Sequence, residues 1–134
     1  MTTILQPPGW ARPKGFSHGI AVKGGTTVYI AGQVGCNAQG GFDEKTFGGQ
    51  FRQTLKNILA VLAEAGGGPE HLVRLTWYVI DKQEYFGALK DIGAAYRELV
   101  GKHYPAMAVV QVSGLVEPDA RLEIEATAVI PGTP

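Results

Sequence analysis

Residues 121–130, RLEIEATAVI, alternate without a break. Leu122, Ile124, Ala126, Ala128 and Ile130 fall on one side, and Arg121, Glu123, Glu125, Thr127 and Val129 on the other. Successive side chains of a strand point to opposite faces, so a period of two predicts a strand with one face on a core. The other face is mixed, and its charges are flanked by Thr127 and Val129. Such a face suits either a solvated surface or a subunit interface that encloses a wet ligand site.

Working outward, residues 71–80 repeat the pattern: Val73, Leu75, Trp77 and Val79 alternate with Arg74, Thr76, Tyr78 and Ile80. Ala108–Ser113 reads as a short Val-rich strand. Ile20–Lys23 and Thr26–Ala31 flank Gly24-Gly25, a dipeptide suited to the tight turn of a hairpin. Two stretches instead follow a helical period. Phe51, Leu55, Ile58, Leu59 and Leu62 form one apolar stripe, which ends at Gly66-Gly67-Gly68-Pro69. Tyr85, Leu89, Ile92, Tyr96, Leu99 and Val100 form a second, in a helix expected over Gln83–Gly101, with Asp81 and Glu84 as a capping box. The expected order is β-β-α-β-α-β-β. That is an α+β fold with two helices on one face of a mixed sheet. All 134 residues form one domain, with the Gly35–Gly49 loop and the two ends as its mobile parts.

Bulk properties exclude several classes. Twelve Lys and Arg balance twelve Asp and Glu, which argues against a phosphate backbone as the main partner. The single Cys36 leaves no internal disulfide and suits a reducing compartment. No apolar run approaches the roughly 18 residues of a membrane span, and MTTILQPPGWARPKG does not read as a signal peptide. A cytoplasmic protein with no membrane partner is expected.

The segments VYIAGQVG, FRQTLKNILAVLAEAGG, LVRLTWYVID, YPAMAVVQVSGL and RLEIEATAVIP resemble, in order and spacing, the reactive intermediate deaminase (RidA) family, formerly called L-PSP endoribonucleases. The likeness runs from about Gly15 to Pro131. It implies a chorismate-mutase-like fold that assembles as a homotrimer around a central barrel, with small molecules bound in clefts between subunits. The chemistry it implies is hydrolysis of enamines and imines formed by pyridoxal-phosphate enzymes, giving a keto acid and ammonia, with no cofactor of its own.

The resemblance also locates a site, and there this chain departs from the pattern. In the family's deaminases an Arg follows Pro-Ala and clamps the substrate carboxylate through two parallel charged hydrogen bonds. Here Met107 stands in that place, after Pro105-Ala106, and Val109 replaces a Cys two positions on. The family's Gly-Pro-Tyr-Ser reads Gly15-Phe16-Ser17, which keeps a ring without its hydroxyl. An Asn before the tyrosine of the second helix falls at Gly93, three residues before Tyr96. Of the polar site only Glu123 matches. A hydrogen bond to a charged group contributes about 1.5–3 kcal/mol, so losing the Arg alone weakens carboxylate binding roughly 10- to 150-fold. The expected cleft is lined by Phe16, Ser17, His18, Gly93, Met107 and Val109. Glu123 is its candidate for orienting or deprotonating a water.

Two readings of that cleft stay open: hydrolysis of a substrate whose carboxylate is not clamped, and binding or regulation without chemistry. Endoribonuclease activity is a weaker third, given the neutral charge and the lack of paired histidines. His18 could act as an acid or base beside Phe16, although a surface role is more ordinary. His71 and His103 sit at element ends and read as structural. The three histidines and Cys36 have no metal-ligand spacing, so no metal is expected. Cys36 reads as a loop cysteine with no adjacent base, and Trp10 and Trp77 as packing.

Overall fold

The computed structural model describes residues 2–132. Its centre is a four-stranded sheet in the order β3-β6-β4-β5, built from β3 (Thr26–Gln33), β6 (Leu122–Ile130), β4 (Leu72–Val79) and β5 (Ala106–Gln111). Three neighbouring pairs make it up, and only β4 with β5 is parallel. The connection between those two carries α2 (Lys82–Gly87) and α3 (Leu89–Leu99), as a parallel pair requires a crossover. With α1 (Phe47–Glu64) they cover one face, so the mixed α+β sheet expected from the sequence is present.

The core lies between α1 and that face. Phe51, Leu55, Ile58 and Leu62 are fully buried, and they meet Leu75, Trp77, Val79, Leu122, Ile124 and Ala128. Each such side chain contributes about 1.5–3 kcal/mol by leaving water. The helix starts on Thr46, whose hydroxyl accepts from the Gly49 N–H. One turn in, Gln50 is buried and fully employed. Its Nε2 donates to the carbonyls of Glu44 (3.2 Å) and Asp119 (3.0 Å), and its Oε1 accepts from the Arg121 N–H at 2.7 Å. Gln50 thereby sets where β6 begins.

Several local expectations need correction. The second helix is broken: Ala88 (φ −105°, ψ 7°) ends α2 and starts α3, next to Gly87, a poor helix former. Asp81 does cap α2 through Gln83, but Glu84 turns away to Arg121 (3.5 Å), so the box does not close. The same ion pair takes Arg121 away from Glu123 and Glu125. A register shift between Leu72 and Arg74 buries Leu72 in place of Val73. The N-terminal end, expected to be mobile, contains a strand, β1 (Thr2–Leu5); the other end extends into residues outside those described.

The largest departure is the hairpin. Its two strands exist, as β2 (Gly19–Val22) and β3, and Gly24 and Gly25 both take positive φ (67° and 85°). Yet β2 pairs with β1 in a separate ribbon and not with β3. The reason is an anchor upstream. Ser17 bridges to Ala106, donates its N–H to Pro105 O (3.1 Å), and donates its hydroxyl to Tyr104 O (2.5 Å). Residue 17 is thus tied to the β5 edge, while Thr26 begins β3 at the opposite edge. The intervening segment must cross the end of the sheet.

Candidate functional site

The anchor at Ser17 brings the segment just before it onto the helix side of β5. Met107 and Val109 lie opposite Leu75 and Trp77 of β4, on the face that the helices cover. Between this edge, α3 and residues 14–16 lies a cavity of about 500 Å³. Phe16, Gly93, Met107 and Val109 all line it. Four positions selected from separate segments of the sequence therefore meet in one place. Much of the remaining wall is aromatic: Trp77, Tyr85, Tyr96 and Tyr104. Tyr96 and Tyr104 stack at 5.6 Å with planes 9° apart, and the Tyr96 hydroxyl donates to the His103 carbonyl. Burial, reinforced by Tyr104, pushes the Tyr96 phenol well above the ordinary tyrosine range. It is a neutral hydrogen-bond donor there.

Two cations also line the cavity, Lys14 and Arg97, and the sequence reading selected neither. Lys14 lies in a Pro-containing stretch with no periodicity. Arg97 had a usable signal, because it follows Gly93 by four residues and the two share a helix face. A Cβ placed on Gly93 would lie 3.2 Å from Arg97 Nη1, so the guanidinium lies close over the glycine backbone. Met107 removes a charge from one wall, and Arg97 and Lys14 supply charge from others.

Glu123 is elsewhere. It stands opposite Tyr78 in the β6–β4 ladder, on the face away from the helices, with the sheet between it and the cavity. Its carboxylate leans over Gly32 of β3, where a Cβ would lie only 2.9 Å from Glu123 Cδ. Next to it the Tyr78 hydroxyl donates to Glu125 Oε1 at 2.6 Å, and that hydrogen bond raises the Tyr78 pKa. Arg74 and the 81% exposed Tyr29 complete an open, mixed surface.

The other candidates divide clearly. Ser17 is buried and spends its hydroxyl on the Tyr104 carbonyl, so it builds the cavity without lining it. His18 is outside the lining. It packs edge-on against Phe16 (5.9 Å) and Trp10 (5.1 Å), and Trp10 is 60% exposed, so its contact is local and not part of the core. His71 Nδ1 accepts from the Gly68 N–H at 3.0 Å, and His103 Nε2 meets Leu72 O at 2.6 Å; both are structural. Cys36 is half-buried, and its carbonyl accepts from Asn57.

Residues 11–130 match the family described as endoribonuclease L-PSP. The chain belongs to that family, which includes the reactive intermediate deaminases. Among its relatives is the human 2-iminobutanoate/2-iminopropanoate deaminase, 30% identical over 130 residues, covering 95% of this chain and 87% of that one. A RutC family protein of Pyrococcus horikoshii is 35% identical over 109 residues, covering 81% and 82%. Among solved structures, a protein of unknown function of the conserved Rid family from Yersinia pestis superposes with a TM-score of 0.85 at 32% identity, covering 96% and 98%. Within the L-PSP family fold, no helix among the described residues is long and apolar enough to cross a membrane.

Proposed function

We propose that this protein hydrolyses imines or enamines whose carboxylate, if present, is not clamped from β5, and that it does so in the cavity beside Met107. The observation that carries this reading is the convergence of Phe16, Gly93, Met107 and Val109 on one cavity, in a chain whose relatives include a named imine deaminase. In the reaction, an enamine first takes a proton on carbon and gives up its N–H proton to become the imine. A water oxygen then adds to the C=N carbon and a proton passes to the nitrogen. The resulting carbinolamine then expels ammonia as the carbonyl forms. Glu123 is the residue assigned to take the proton from the water and return it to nitrogen.

Within one chain Glu123 and the cavity are on opposite faces of the sheet, so the reading requires a neighbouring copy to bring its own Glu123 to the cavity. A homotrimer joined through the open sheet face would do this. The mixture of Tyr29, Arg74, Tyr78, Glu123 and Glu125 on that face supports such an interface. The test is ammonia release from imines formed by oxidation of Leu or Met, and from 2-aminoacrylate, together with light scattering. The expected mass is three times the 14.3 kDa chain. Glu123→Gln should lower hydrolysis about 10²-fold or more and leave that mass unchanged. A monomeric mass, or an unchanged rate per folded assembly in the variant, would overturn the assignment.

The separation of Glu123 from the cavity within one chain favours one second reading, a binding protein without chemistry. It predicts ligand-induced shifts at cavity residues with no ammonia released from any imine.

A further inference from the structure

We infer that the cavity recognises an anionic ligand with a flat, unsaturated body, and that Arg97 is the residue that selects its charge. The inference rests on the cavity being the substrate site, and it specifies what that site accepts. Three observations carry it.

The first is charge. Lys14 and Arg97 line the cavity, and no Asp or Glu does. Neither cation takes part in an ion pair or hydrogen bond among the described residues. Arg97's chain neighbour Glu98 is already engaged by Arg52, and Glu84 by Arg121. Two unpaired cations facing a half-apolar cleft attract an anion, and a guanidinium can hold a carboxylate through two hydrogen bonds.

The second is fit. Gly93 leaves room for the guanidinium, since a Cβ there would approach Arg97 Nη1 to 3.2 Å. The third is an aromatic wall. Trp77 is 4% exposed and lines the cavity. Around these groups stand the rings of Phe16, Tyr85, Tyr96 and Tyr104. Aromatic walls favour a planar body by stacked and edge-on contacts. About 500 Å³ is within the range of sites for drug-sized ligands and exceeds what a three-carbon imine would fill.

The probes are indole-3-carboxylate and its neutral match, indole-3-carboxamide, titrated calorimetrically and followed by amide chemical shifts. The acid should bind about tenfold tighter than the amide. Arg97→Gln should remove most of that preference. Lys14→Gln should reduce the preference by a smaller factor, and Lys90→Gln, elsewhere on α3, should not change it. Equal binding of acid and amide, an acid preference undiminished in Arg97→Gln, or no shift at cavity residues with either probe would each overturn the inference. The hydrolase reading is judged separately. Ammonia release from neutral imines without any acid preference would sink this inference and leave that reading standing. Acid preference without ammonia release would do the reverse.

Discussion

Replacing Gly93 by Ala should make the protein more stable and a poorer binder of aromatic acids. Gly93 is in the interior of α3 with ordinary helical φ, so alanine is tolerated by the backbone. Glycine inside a helix costs about 0.8–1 kcal/mol relative to alanine. Against this stands the 3.2 Å approach of the new methyl to Arg97 Nη1. That neighbour is the far end of an exposed side chain without a partner, so a shift of a few tenths of an ångström relieves it at little cost. The net expectation is a gain of about 0.5–1 kcal/mol, or roughly 2–5 °C in Tm for a chain of this size. Calorimetry at one fixed protein concentration measures this, because assembly makes Tm concentration-dependent. Binding should move the other way. The displaced guanidinium loses part of a charged hydrogen bond of about 1.5–3 kcal/mol, so acid affinity should fall about 3- to 10-fold. A methyl that merely filled the cavity would weaken acid and amide alike, whereas displacement of Arg97 weakens only the acid. A lower Tm, or equal losses for both ligands, would refute the reasoning about Gly93 and Arg97.

Two further outcomes test the scaffold. Gln50→Leu removes the partners of the Glu44 and Asp119 carbonyls and of the Arg121 N–H in a buried setting, so unfolding free energy should drop by about 3 kcal/mol or more in denaturant titrations. A loss below about 1 kcal/mol would show that water replaces the amide freely. The raised pKa of Tyr96 fixes the sign of an alkaline effect. Above about pH 10 the unfolded phenol releases its proton while the folded one keeps it, so the folded state binds more protons. Its contribution is complete below pH 10 and is lost as pH rises beyond that, at up to about 1.4 kcal/mol per pH unit. Stability measured from pH 9 to 11.5 should fall less steeply in Tyr96→Phe; an identical slope would contradict the burial argument.

The residue periods alone determined much of this protein. RLEIEATAVI carries its own burial pattern, because alternation in a strand is a local property: Leu122, Ile124, Ala126 and Ala128 are buried and Glu125 is exposed. The stripe of α1 is legible for the same reason, since side chains at spacings of three and four share a helix face. Four residues of the cavity were also legible, although only through likeness to a family and not through any local pattern. What the tertiary structure decided are questions of who meets whom. The turn glycines between β2 and β3 are compatible with a hairpin, but Ser17 is tied to the far edge of the sheet, and no short-range signal reports an anchor to Tyr104 and Pro105. The charge of the cavity was hidden likewise. Met107 is visible as a lost arginine, whereas Arg97 counts only once α3 and β5 line the same cavity and Gly93 leaves space for its guanidinium. Alternation told correctly that Glu123 faces away from the core, but that face is a full sheet's thickness from the cavity. Sequence periodicity assigns a side chain to a face; only packing determines what stands on that face with it.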